Sequence, residues 1–123
     1  MPLTILHVED HRIVADAISE TLELEGWRCV TCTDGAVAVR RLASDARYDL
    51  LMFDNHLPNV NGIELVRHAR QLPHRQRTPI IMLSASDGER DARAAGANAF
   101  LRKPQDIGAI VPTIKRLLNK ETG

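Results

Sequence analysis

The spacing of apolar positions alternates along the chain. Leu3 to Val8 is a short apolar run without a turn residue, which predicts a buried strand. From His11 to Glu25, Ile13, Val14, Ala17, Ile18 and Leu22 share one helical face, and Gly26 is placed to end that helix. Trp27 to Thr31 reads as a second strand, and Asp34 as the cap of a second helix holding Val37, Leu42 and several alanines. Leu50 to Phe53 is apolar throughout, which predicts a strand covered on both faces. A loop with Pro58, Asn59, Asn61 and Gly62 leads to a helix from about Ile63 to Gln71, and Pro73 prevents its continuation. Ile80 to Leu83 is a fourth strand. Ser86 and Glu89 have the spacing of a capping box at the start of a short helix, which Gly96 closes. Ala99 to Arg102 is a fifth strand. The last helix carries Ile107, Ile110, Val111, Ile114, Leu117 and Leu118 on one stripe. Pro112 is its internal conflict and predicts a kink or a lost hydrogen bond.

Five strands separated by helices predict an α/β fold, with right-handed crossovers and a parallel sheet covered by helices on both faces. The 123 residues suit one domain, 1–123, and no linker, repeat or output domain is expected within them. Sixteen basic residues balance sixteen acidic ones, which argues against whole-surface attraction to nucleic acid or anionic lipid. No segment approaches the roughly 20 apolar residues of a membrane helix. The first residues lack a basic-then-apolar secretion signal, so a cytoplasmic protein is expected, with no membrane partner. Cys29 and Cys32 have metal or redox spacing. A zinc site would need two further ligands, however, and a redox pair usually opens a helix, so they read as reduced structural cysteines. Residues 65–86 contain no acid but hold Arg67, His68, Arg70, His74, Arg75 and Arg77. Without a DNA-reading motif, this stretch reads as a solvated basic face or a protein contact at the amino ends of the strands.

Ligands of such sheets bind beyond the carboxyl ends of the strands. Strand one is followed there by Glu9 and Asp10, strand three by Asp54, strand four by Ser84 and strand five by Lys103. Each has an ordinary reading alone: helix-start acids, a turn aspartate, a loop serine, a solvated lysine. Together they crowd three carboxylates into one pocket, where they repel unless protonated or bound to a cation. An oxygen donor set with open positions suits Mg²⁺. Asp54 is then the candidate nucleophile toward phosphorus, with Lys103 and the Ser84 hydroxyl available to the phosphoryl oxygens.

At these residues the chain resembles the receiver domain of bacterial two-component signalling, the CheY-like response regulators. The resemblance rests on Glu9-Asp10, on Asp54-Asn55-His56-Leu57-Pro58 with Gly62, on Leu83-Ser84-Ala85, and on Phe100 with Lys103-Pro104. It implies a flavodoxin-like, three-layer, doubly wound fold with strand order 2-1-3-4-5 and five helices. It further implies phosphorylation of Asp54. Mg²⁺ would be ligated by Asp10, Asp54 and the backbone carbonyl of His56, with Glu9 acting largely through water. Ser84 and Lys103 would bind the phosphoryl group. Phe100 would be the switch aromatic, turning inward as Ser84 moves toward the phosphate, and Lys103-Pro104 would be cis. The implied donors are a histidine kinase or a histidine phosphotransfer protein. The output is an unspecified protein or C-terminal domain, reached through the face formed by helix four, strand five and helix five. His56 and Ser86 fall where this family tunes phosphate lifetime, and His56 is equally well read as a solvent-facing loop histidine.

Three departures accompany the resemblance. Glu9 stands for the commoner Asp, Ser84 for the commoner Thr, and the stretch from Ser84 to Lys103 is shorter by about one helical turn. The fourth helix, roughly Glu89 to Ala95, is the shortened part, which puts the usual dimer mode in question. Two other classes fit less well. An aspartyl phosphatase resembling the haloacid dehalogenase family would carry an acid at position 56, where His56 stands. A flavin binder would have its phosphate repelled by Glu9 and Asp10, and only 3% of residues are aromatic for ring stacking.

Overall fold

The computed structural model describes residues 2–119. Its strands are β1 (Thr4–Val8), β2 (Arg28–Cys32), β3 (Leu50–Asp54), β4 (Ile80–Ser84) and β5 (Ala99–Arg102). Its helices are α1 (Arg12–Leu24), α2 (Gly35–Ala43), α3 (Gly62–Gln71), α4 (Glu89–Ala95) and α5 (Ile110–Asn119). All strand pairs are parallel, in the order β2-β1-β3-β4-β5. The expected fold class and strand order are therefore found. Among the described residues no helix is long and apolar enough to cross a membrane.

Strand side chains alternate between two faces, and each face has its own core. Leu6, Val8, Leu51, Phe53, Ile80 and Met82 pack against Ala38 and Leu42 of α2, Leu65, Val66 and Ala69 of α3, and Ala92 of α4. Ile5, Leu50, Met52, Ile81 and Leu83 pack on the opposite face against Ile18 and Leu22 of α1 and Ile110, Ile114 and Leu117 of α5. The continuous apolarity of β3 and β4 follows, since every residue of both strands is buried. Cys29 packs with the second core and Cys32 with the first, because an odd offset of three residues places the two thiols on opposite faces of β2. Both are free cysteines, in keeping with a structural role.

Helix ends follow local chemistry. Gly26, at φ +84, closes α1 with a paired motif in which its N–H donates to Glu23 O and the Trp27 N–H to Leu22 O. Asp34 caps α2 by accepting from the Ala36 N–H, and Asn61 caps α3 by accepting from the Glu64 N–H. Two expectations fail here. Ser86 does not cap α4, whose N-cap is Gly88 at φ +157 without a side-chain bond. Pro112 is not an interior conflict. Ile107–Ala109 forms a separate 3-10 turn, so α5 begins at Ile110 and Pro112 lies in its first turn. N–H groups there have no intrahelical partner to lose.

The acid-free stretch is also different from a solvated face. Arg75 is buried, donating to the carbonyls of Leu42, Ser44 and Ala46 while its guanidinium lies 4.8 Å from the Tyr48 ring centre. Arg70 donates to the carbonyls of Arg75, Gln76, Thr78 and Gly96 and to Asn98 Oδ1. His74 Nε2 pairs with Ser44 O at 2.9 Å. These side chains hold the loops at the amino ends of the strands, leaving Arg67, His68 and Arg77 exposed.

Candidate functional site

The register of β1, β3, β4 and β5 brings the five expected groups to one edge. Val8 pairs with Phe53, Asp54 with Leu83, and Ser84 with Arg102, so Glu9, Asp10, Asp54, Ser84 and Lys103 all emerge at the carboxyl ends. Glu9 and Asp54 are buried and Asp10 is exposed. One carboxylate oxygen from each of the three lies within 4.8 Å of the others.

The loop that carries Asp54 is fixed from below and from the side. A β-carbon at Gly62 would overlap the Asp54 carbonyl oxygen and come within 2.8 Å of Asn55 Cα, so this close approach requires glycine. Asn59 adopts φ +72 and its amide donates to Asp34 Oδ2 at 2.8 Å. The helix-capping Asp34 thus also anchors the loop.

Lys103 Nζ lies 2.8 Å from Glu9 Oε1 and 3.3 Å from Asp54 Oδ1. Only the Glu9 contact has hydrogen-bond geometry, and Asp54 Oδ1 is left buried without a hydrogen bond. Burial, followed by the neighbouring Glu9 charge, pushes the Asp54 carboxyl up to about 6. Burial also opposes ionisation of Glu9, but the Lys103 hydrogen bond outweighs it and holds that carboxyl below its ordinary value. Burial opposes the Lys103 charge too, and the two carboxylates more than offset it, so the ammonium is held above its ordinary value. One lysine therefore serves one acid well and the other poorly. A hard divalent cation suits this donor set, because the oxygen that lacks a hydrogen bond sits among further carboxylate oxygens.

Ser84 is fully buried, and its hydroxyl accepts from the Ser86 N–H at 3.2 Å. Ser86 Oγ lies 3.3 Å from Ser84 Oγ and 3.1 Å from His56 Nε2. Ser86 thus bridges the Asp54 loop and the Ser84 loop, which explains why it is unavailable as a helix cap. Phe100 is buried, and Lys103-Pro104 is cis as expected.

Two neighbours of the site emerge from the structure. His7, inside the apolar run of β1, is fully buried with neither ring nitrogen hydrogen-bonded, and burial pushes its pKa down to about 4. A lone histidine in an otherwise apolar strand was the available signal. Arg102 follows Phe100 by two residues and is placed over its ring, and no periodicity distinguishes it from a solvated arginine.

The parallel sheet and its acid-lysine edge define a phosphoryl-accepting α/β module. The family model for the response regulator receiver domain matches residues 5–115, and the chain belongs to that family, the phosphoacceptor modules of two-component signalling. The response regulator PmrA of Pseudomonas aeruginosa is 33% identical over 98% of this chain and 55% of its own length. The chain spans about half the length of the curated relatives it matches. Chemotaxis protein CheY4 of Vibrio cholerae is 30% identical, with TM-score 0.88 over 96% of this chain and 100% of that one. The receiver domain of the sensor histidine kinase PA1611 from Pseudomonas aeruginosa is 30% identical, with TM-score 0.87 over 97% of this chain and 99% of that one. That neighbour holds a magnesium ion coordinated in its active-site cleft.

Proposed function

We propose that Asp54 accepts the phosphoryl group, and that Asp10, Asp54 and the His56 backbone carbonyl hold Mg²⁺ there, with Glu9 acting largely through water. The observation that supports this most is the buried Asp54 oxygen that has an ion-pair contact but no hydrogen bond. When bound, the cation offsets the charge of an incoming phosphoryl group. Asp54 supplies the attacking oxygen. A bond forms from that oxygen to phosphorus as the bond from phosphorus to the donor's imidazole nitrogen or acyl oxygen breaks, and the departing atom keeps the electron pair. Lys103 neutralises charge on the phosphoryl oxygens, and the Ser84 hydroxyl leaves Ser86 to donate to one of them. Hydrolysis returns the Asp54 carboxylate and free phosphate. The chain assists both steps on its own residue and is not a turnover enzyme on an external substrate.

The donor is a histidine kinase or histidine phosphotransfer protein. Ile13, 75% exposed and three residues beyond Asp10, offers such a donor an apolar contact beside the site. The output face comprises α4, β5 and α5, with Ser84 and Phe100 as its switch, acting on a separate protein or a joined domain. Direct binding to nucleic acid or membrane is not part of this reading, and residues 1–123 act as one receiver unit in the cytoplasm, where Cys29 and Cys32 stay reduced. The test is incubation with acetyl phosphate and Mg²⁺, followed by intact mass. One added phosphoryl group in the wild type, absent from Asp54→Asn, is expected. An unmodified wild type would contradict the proposal.

A further inference from the structure

We infer that Arg102 is a positioning residue that holds the Phe100 ring in its buried place and ties that ring to the loop carrying Ser84. Residues two apart on a strand point to the same face, so Arg102 lies over the same side of β5 as Phe100. Its guanidinium carbon is 5.6 Å from the ring centre. β5 is an edge strand, and α4 beside it has only seven residues, yet Phe100 is just 7% exposed. Arg102 completes the cover that the short helix leaves unfinished. Its backbone N–H donates to Asp106 Oδ2 at 2.8 Å, which fixes the end of the strand beneath the side chain.

The same guanidinium reaches out of the sheet. Arg102 Nη2 lies 3.7 Å from Asp87 Oδ1, in the loop between β4 and α4. Asp87 is three residues beyond Ser84, and Ser84 is the register partner of Arg102. One side chain thus touches both the aromatic ring and the loop. Each contact is weak, because Asp87 is fully exposed and Arg102 half-exposed, so the pair biases the ring rather than locking it. Resting on the reading of Ser84 as the phosphoryl-binding hydroxyl, this makes Arg102 the part that passes a loop movement to Phe100. Such a coupling acts equally in both directions.

The test needs no phosphodonor. The chain has two phenylalanines, so fluorinated phenylalanine gives two ¹⁹F signals, with fully buried Phe53 as internal reference. The solvent isotope shift between H₂O and D₂O reports exposure. Arg102→Ala is expected to increase the Phe100 shift roughly twofold and leave Phe53 unmoved, in line with loss of a cation–ring contact. Arg102→Lys should recover part of the effect. Asp87→Ala should move Phe100 in the same direction by less, and should add nothing on top of Arg102→Ala. A Phe100 signal that is unchanged in Arg102→Ala overturns the inference. If Arg102→Ala disturbs both signals through general loosening, Asp87→Ala decides, and an unmoved Phe100 there overturns it. Acetyl phosphate labelling of the same samples reads the phosphoacceptor assignment separately, since absent labelling leaves the ¹⁹F pattern intact.

Discussion

The two ends of the sheet treat buried charge in opposite ways. At the amino end, Arg75 donates to three carbonyls and rests on Tyr48, and Arg70 donates to four carbonyls and an amide. At the carboxyl end, Glu9 and Asp54 share Lys103 with Asp10 close by, Asp54 Oδ1 has no hydrogen bond, and the buried His7 has both nitrogens unpartnered. Charge that is fully hydrogen-bonded serves the fold. Charge left incomplete marks a place that awaits something further, here a divalent cation and then a phosphoryl group.

The amino end is most sensitive at Arg75. Arg75→Ala leaves three loop carbonyls without their donor and should cost about 3–5 kcal/mol, read as a lower urea midpoint. A variant as stable as the wild type would mean that the amino end is not held by its arginines.

His7 gives the next largest effect, on the pH axis. Its folded pKa, about 4, lies below the ordinary 6.5, so the unfolded chain takes up the proton first. Stability is therefore fully present above about pH 6.5 and falls as the pH drops toward 4, by roughly 3 kcal/mol over that window. Urea titrations of wild type and His7→Leu across this range should diverge as the pH falls, with the variant losing less. Parallel curves would show that His7 does not carry the acid sensitivity.

A smaller effect is expected at His56. His56→Ala frees Ser86 and should change the decay rate of the Asp54 label by about 2- to 10-fold without abolishing labelling. Unchanged decay would leave His56 as a loop histidine. The smallest effect belongs to Trp27, which precedes β2 at the amino end. Its fluorescence should respond by only about a tenth or less to Mg²⁺ at the far edge, on distance grounds. Strong quenching would contradict that separation.

Much of this arrangement is legible in the residues themselves. Short apolar runs, capping Asp34 and closing Gly26 and Gly96 report local backbone preferences, so the alternation of strands and helices is readable directly. The polar residue after each strand then follows from the parallel fold, which is why Glu9, Asp10, Asp54, Ser84 and Lys103 were identifiable. Most of what escaped depends on contacts between distant segments. Ser86 has the spacing of a cap, but His56, thirty residues away, and Ser84 compete for its hydroxyl. Pro112 looks misplaced until the 3-10 turn at Ile107–Ala109 moves the helix start. Arg70 and Arg75 look solvated because no local pattern reveals which carbonyls will lie within their reach.

Asp54 carries incompletely balanced charge until a divalent cation arrives. Its carboxyl is raised from 3.8 to about 6, so the folded state holds the proton more tightly than the unfolded chain. Stability from this group is present below about pH 4 and is lost as the pH rises through 6. Above that range, ionised Asp54 is a liability without Mg²⁺. Urea unfolding of wild type and Asp54→Asn at pH 7.5, in chelator and in saturating Mg²⁺, tests this directly. Asp54→Asn is expected to be more stable than wild type in chelator, by about 1–3 kcal/mol, and Mg²⁺ to stabilise the wild type far more than the variant. A destabilised Asp54→Asn in chelator, or an equal Mg²⁺ response in both proteins, would contradict it.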